Sequence, residues 1–303
     1  MWLKTATIGC CVVVGGALLR HLFVGRSDKP RDTPVKKDFK KGVVYLYQWP
    51  RPKGLASISP FCLKLETWLR ISAIDYEPII SCSLRSREGM LPFVELDGVE
   101  YPDSSFAIRD LTAELKVATD DDLTEEQRAV ARSLETMLEM STFNTYGFIR
   151  YVEQPKQFIN FILRDMGERA CWVTRMIFAH VARGMPKNEM DILRKTGIGR
   201  HDRAEIINMG KADLKALSDY LGDKPFLMGD KPTRVDCAAF AVLAQMVYCP
   251  LESPHFDYLK SDCPKLLEFC DRVKELAWPD WDTVHLQNDT QWWEHPPKQK
   301  KKE

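Results

Sequence analysis

The chain changes its hydrophobic rhythm three times. An uncharged apolar run, "TATIGCCVVVGGALL" (Thr5 to Leu19), is extended by "HLFV" to Val24 after Arg20. About twenty helical residues rise ~30 Å, one hydrocarbon thickness, so residues 5–24 predict a membrane anchor. From residue 43 short apolar, β-branched and aromatic runs alternate with helical spacing. "GVVYLYQW" reads as a buried strand ending at Pro50, and Phe61, Leu65, Trp68 and Leu69 recur on one helical face. "DYEPII" is a second strand, so strand, helix, strand implies a right-handed parallel crossover. "FVEL" and "VEY" alternate around Asp97-Gly98, a two-residue hairpin signal. A further helix opens at Asp103, Ser104 and Ser105, all capping residue types. After "ATDDDLTEEQ" the strand signal stops and helical periodicity takes over. "KPTRVDCAAFAVLAQMVY" begins with Thr233 and Asp236 at capping-box spacing.

These elements predict an α/β plus all-α chain, with an anchor at 1–25, a linker at 26–42, a thioredoxin-like layer at 43–118, an all-helical domain at 119–285 and a disordered tail at 286–303. "GRSDKPRDTPVKKDFKKG" is polar and proline-containing, as a linker should be. Only Lys4 precedes the apolar run, whereas Arg20, Arg26, Lys29, Arg31, Lys36 and Lys37 follow it. Positive-inside logic therefore leaves a single-pass chain with its bulk in the cytosol. A cleaved signal peptide is the rival reading, but Arg20 and His21 stand where small residues should precede cleavage. Lys300 and Lys301 have dilysine retrieval spacing; a basic solubilising tail explains them as well.

Composition narrows the functional classes. Lys plus Arg and Asp plus Glu both number 43 across 303 residues, so no charge excess advertises a nucleic-acid partner. Nine cysteines at irregular spacing, without CxxC or a Cys/His ligand cluster, read as reduced thiols and predict no metal site. No Walker loop, GxGxxG or nucleophile elbow is present.

Ser59-Pro60-Phe61-Cys62, Leu91-Pro92 ahead of the hairpin, "DSSFAI" at a helix start and the Thr233/Asp236 box together resemble the glutathione-transferase superfamily. "SPFCLKLETWLR", "GRHDRAEI" and "LGDKPFLMGDKPTRVDCAAF" are similar, more narrowly, to failed axon connections proteins, themselves akin to metaxins and nematode cadmium-responsive proteins. The resemblance implies a thioredoxin-like domain that binds glutathione and a helical domain that supplies the side for a second, electrophilic substrate. It also implies a cis Leu91-Pro92 bond, with Leu91 and Pro92 turned to the glutathione backbone. Ser104 and Ser105 match the acid-or-amide-plus-serine pair that holds the γ-glutamyl group, but Ser104 replaces the acid, and Asp103 lies one residue earlier.

Ser59 stands where related redox proteins carry cysteine, so a mixed disulfide through it is excluded. Its hydroxyl can donate to a glutathione thiolate beside the N–H groups of the first helical turn, which lower thiol pKa values. Equally, it can serve only as a helix cap. Tyr45 and Tyr47 compete for the donor role, though their alternation puts both on one face, as core residues would be. Cys62 reads as a reactive thiol if exposed and as an inert small hydrophobe if buried. Two functions stay open: a membrane-anchored glutathione transferase, which in this superfamily commonly dimerises, and a non-catalytic metaxin-like interaction protein of membrane organisation or axonal development. The anchor and its basic flanks suit the outer mitochondrial membrane or the endoplasmic reticulum.

Overall fold

The computed structural model describes residues 34–81, 84–164 and 172–287. The expected anchor, the first part of the linker and nearly all of the tail lie outside these residues. Among the described residues no helix is long and apolar enough to cross a membrane.

The first unit follows the hydrophobic pattern closely. β1 (Val44–Gln48), α1 (Pro60–Ile71), β2 (Tyr76–Ile80), β3 (Phe93–Leu96), β4 (Val99–Pro102) and α2 (Ser104–Leu115) form a four-stranded sheet with two helices. Strand order is β2-β1-β3-β4. β2 runs parallel to β1, while β3 is antiparallel to both β1 and β4. Asp97 and Gly98 both have positive φ, 50° and 82°, the backbone that a tight hairpin turn between right-twisted strands demands.

β1 is buried along its whole length because both faces are covered. Val44 and Leu46 pack with Leu65, Trp68 and Leu69 of α1 and Ala107, Ile108 and Leu111 of α2. Tyr45 and Tyr47 point to the other face, with Leu91, Phe93 and Cys62. Residues 34–42, expected to be linker, are partly tied into the sheet. The buried Glu95 carboxylate accepts from the N–H groups of Val35 and Lys36 at 2.7 and 3.0 Å, and Asp97 accepts from Gly42 at 2.8 Å. A carboxyl group taken out of water requires such hydrogen-bond partners.

The second unit is helical: α3 (Glu125–Met137), α4 (Phe143–Gly147), α5 (Pro155–Arg164), α6 (Trp172–Thr196), α7 (Arg203–Leu221), α8 (Arg234–Val247), α9 (Pro254–Asp262) and α10 (Pro264–Ala277). π-helical turns at Leu138–Thr142 and Phe148–Glu153 join α3 to α4 and extend it beyond. Such turns re-aim side chains within a continuous helix. α8 is buried on nearly every side, and its start is held by Asp236, which accepts from Thr233 N–H and O–H at 2.8 and 2.7 Å and from Leu227 N–H at 2.7 Å. Leu55, Ala56 and Leu63 of the first unit belong to the same core as Phe240, Leu243 and Met246 of α8. The hydrophobic core therefore crosses the domain boundary. At the far end the chain returns to α1: Trp278 Nε1 donates to Thr67 at 3.0 Å and Arg70 stacks 3.9 Å from the Trp278 ring. A 3₁₀ turn at Val284–Gln287 takes order slightly past the expected tail boundary at 286.

Candidate functional site

The loop before α1 is prolonged by Pro50, Pro52 and Gly54, so it has few backbone partners of its own. Side chains supply them. Arg51 makes a fork on Glu66, at 2.8 and 2.7 Å, with both groups fully buried, and donates to the Ala56 carbonyl at 3.2 Å. Burial alone would raise the Glu66 pKa, but Arg51 overrides it and holds the carboxyl below its usual range. From the helical unit, Gln245 Nε2 donates to the Ser57 carbonyl at 3.1 Å, and Arg150 donates to the Ile58 carbonyl at 2.8 Å and to Gln245 Oε1 at 2.9 Å. The residue presented by this fixed loop is Ser59.

Ser59 is half-buried and is the N-cap of α1, with Pro60 at the first helical position. Its hydroxyl accepts from Cys62 N–H at 3.4 Å, a long cap bond. Accepting uses a lone pair, and the hydroxyl proton, which also lies within reach of the Cys62 sulfur, can rotate toward a ligand instead. Cys62 is fully buried, and burial pushes its thiol up to about 11, with the Ser59 and Ser57 hydroxyls opposing only in part. It is the inert alternative of the two foreseen. The two tyrosines are core residues: Tyr47 OH donates to Glu95 at 2.6 Å and its ring stacks on Phe93 at 4.2 Å, while Tyr45 OH accepts from Lys40 N–H at 2.8 Å.

The sheet register assembles the rest. Phe93 pairs with Pro102, so the ladder ends with the Leu91-Pro92 step on one strand and the start of α2 on the other. The Leu91-Pro92 bond is cis, and Leu91 is 7% exposed. Among the described residues neither the N–H nor the C=O of Leu91 makes a hydrogen bond. Buried main-chain groups are seldom left so. Asp103, at φ 64°, is the N-cap of α2; its carboxylate accepts from Ser105 and Phe106 N–H at 2.8 and 3.2 Å. Ser104 follows at the first helical position, 2% exposed, with a hydroxyl that makes no hydrogen bond among the described residues. Asp103, Ser104 and Ser105, the three residues expected to hold a γ-glutamyl group, thus stand together at the head of α2.

Ser105 is already committed. Its hydroxyl accepts from Lys64 Nζ at 2.7 Å, and Lys64, 1% exposed on its side chain, also donates to Glu139 at 2.5 Å and Glu135 at 3.2 Å. Arg234 grips Glu135 from α8 at 2.9 and 3.0 Å. Burial would raise Glu135, but Lys64 and Arg234 hold it below its usual range. Glu139 is raised, chiefly by burial and further by Glu135 and Asp103, against the pull of Lys64. Sequence reasoning missed this hub and Arg150. A lysine one place from a leucine stripe reads as solvent-facing, and distant partners on α2, α3 and the π-helical turn engage it. On the helical side of the loop, Phe61 meets Phe143 edge-to-face at 5.9 Å, giving an aromatic wall two residues from Ser59.

This two-unit architecture is that of a glutathione S-transferase. The glutathione S-transferase N-terminal domain model matches residues 60–156 and the C-terminal domain model residues 210–273. "Failed axon connections" of Drosophila melanogaster is 35% identical over 272 residues, covering 82% of this chain; the chain spans 61% of that relative's length. A metaxin-1 homolog of Caenorhabditis briggsae is 27% identical over 243 residues, 77% of this chain and 74% of that one. The isoprene-epoxide–glutathione S-transferase of Rhodococcus sp. (strain AD45) is 24% identical over 249 residues, 77% and 98%. The chain belongs to the glutathione-transferase-like family of failed axon connections proteins and metaxins.

Proposed function

We propose that this protein binds glutathione along Leu91 and the head of α2 and transfers its thiolate to an electrophile held against the helical unit. The carrying observation is the main chain of Leu91, which makes no hydrogen bond among the described residues beside the cis bond to Pro92 and the end of the β3–β4 ladder that leads into α2 at Ser104. An extended tripeptide pairs with that main chain, and a γ-glutamyl carboxylate with Ser104 and the adjoining helix terminus, where free N–H groups favour an anion. Ser59 then donates its remaining proton to the cofactor's sulfur, at a helix tip that lowers thiol pKa values. The likeness to a bacterial isoprene-epoxide–glutathione S-transferase supports an electrophile as the second substrate. Residues 5–24 anchor the chain in the outer mitochondrial membrane or the endoplasmic reticulum, on the strength of the apolar run and its basic flank.

The second reading is an interaction protein without chemistry, and one observation favours it: Lys64 already holds Ser105, and Asp103 already caps two donors of α2. Calorimetric titration of the full chain with glutathione decides between them, followed by conjugation of chloro-dinitrobenzene. Saturable heat at millimolar glutathione and a conjugation rate lost in Ser59→Ala support the transferase. No heat at those concentrations removes it and leaves the interaction protein.

A further inference from the structure

The chain enters its first sheet as a pinned strap. Nine residues, 25–33, separate the apolar run that ends at Val24 from Pro34, the first described residue. Fully extended, they reach about 30 Å. From Pro34 onwards the main chain is tied down. Val35 and Lys36 donate to Glu95, Lys40 donates to the Tyr45 hydroxyl at 2.8 Å, and Gly42 donates to Asp97. Residues 37–42 are all exposed, so the strap is held by its backbone and turns its side chains outward. Phe39 is 37% exposed, and its ring lies so close to Gly98 that a methyl group there would stand 3.1 Å from ring Cε1, with Pro34 at 3.8 Å. Val99 follows Gly98 on the edge strand β4 and is 54% exposed. Pro34, Phe39 and Val99 thus gather at the hairpin, with Lys37, Lys40 and Lys41 flanking Phe39 in the strap. Among the described residues none of these three lysines makes an ion pair, whereas Lys36 takes Asp38 at 3.4 Å and Asp97 is occupied by Gly42.

We propose that this face, the strap of residues 34–41 with the β3–β4 hairpin, seats on the anionic lipid surface of the membrane that holds residues 5–24. This rests on the anchor reading above and assigns the side that the folded part turns to the bilayer. The tether argues for that side: Pro34 stands within about 30 Å of the end of the apolar run, so the face where the chain enters is the one held nearest the lipid. The chemistry fits the same partner. An aromatic ring and small apolar groups among lysines suit the headgroup boundary, where rings sit at the interface and ammonium groups meet lipid phosphates. Each lysine near an anionic leaflet is worth roughly fivefold in occupancy, so three together give about a hundredfold. Because the backbone of the strap is already pinned, little ordering of the main chain opposes that gain.

The test places the full chain in vesicles of phosphatidylcholine, with and without phosphatidylglycerol, and labels amines with a membrane-impermeant acetylating reagent, read by mass spectrometry. Lys260 on α9, its side chain 53% exposed, is the internal reference. Relative to it, Lys37, Lys40 and Lys41 should be labelled at least about threefold more slowly in the anionic vesicles. The difference should vanish near 1 M salt, where charges act over only about 3 Å. Val99→Glu, at an exposed position, sets a like charge against the lipid and should shrink the difference below about 1.5-fold. With the chain still held by the vesicles in alkaline carbonate, equal labelling in both vesicle types, a salt-independent difference, or an undiminished one in Val99→Glu overturns the docking face while the anchor stands. Slow labelling that is alike in both vesicle types and grows with protein density gives the face to a second copy of the chain, and overturns the proposal too. Release of the chain from both vesicle types by carbonate overturns the anchor and this proposal with it.

Discussion

Arg150→Met is the perturbation that reaches furthest. Arg150 is fully buried, donates to the Ile58 carbonyl at 2.8 Å and to Gln245 Oε1 at 2.9 Å, and lies 3.9 Å from the Phe158 ring centroid. Methionine keeps most of the aliphatic volume but leaves both acceptors without this donor. An orphaned buried acceptor costs about 1–3 kcal/mol. Part of the loss is offset because a guanidinium no longer has to be desolvated. We therefore expect a net cost of about 2–4 kcal/mol, which for a chain of this size lowers Tm by roughly 4–15 °C. Circular-dichroism melts measure the shift, and urea titrations give the free energy. The loop that presents Ser59 should loosen as well, so glutathione affinity should fall further than after an unrelated substitution of equal cost. Gln245→Leu removes the neighbouring tie to Ser57, and the double variant should cost at least about 1 kcal/mol less than the two single costs added. A Tm within 2 °C of wild type, roughly the shift of 1 kcal/mol or less, would refute the reasoning, as would strict additivity.

Three further outcomes follow. Gly210→Ala would place a methyl group 2.2 Å from His255 Nε2 and 2.4 Å from Thr145 Oγ1, with His255 wholly buried, so despite alanine's better helix propensity the variant should lose at least about 1–3 kcal/mol in urea unfolding. Cys62, with its thiol raised to about 11, should resist iodoacetamide at neutral pH until the chain is unfolded; rapid modification of the native protein, mapped by mass spectrometry, would contradict its burial. Glu66 and Glu135 both titrate below their ordinary value of 4.5 in the folded chain. Their contribution to stability is present above that pH and is lost as the pH falls through the lowered folded values. Glu135→Gln should be less stable than wild type near neutrality and should lose less on acidification, read from urea midpoints across pH.

Much of the frame is legible from hydrophobic rhythm because its burial is one-sided or complete. The crossover from β1 to β2, the Asp97-Gly98 hairpin and the start of α8 at Thr233 all stand where period and cap chemistry put them. Legibility ends where contacts join distant parts of the chain. Lys64 and Glu139 lie 75 residues apart, and Arg150 and Ile58 are separated by 92. Nothing local marks Lys64, Glu139 or Arg150 as polar groups to be drawn into an interface. The tie between the expected linker and the sheet is hidden for a related reason: Val35 and Lys36 are held by Glu95, whose inward-facing carboxylate looks, in an alternating strand, like a solvent residue. Asp103 is legible as a capping residue type, but its φ of 64° is set by the β4–α2 junction and not by its own preference.

The state of a bound thiol tests the central claim most directly. The full chain should be saturated with glutathione and the thiolate's ultraviolet absorbance followed as pH is raised, for wild type and for Ser59→Ala. Ordinary thiols ionise near pH 8.5. The account predicts that the bound thiol ionises at least about one unit lower in the wild type and returns towards the ordinary range in Ser59→Ala. A bound thiol that titrates like the free one, or a chain that takes up no glutathione, would contradict it.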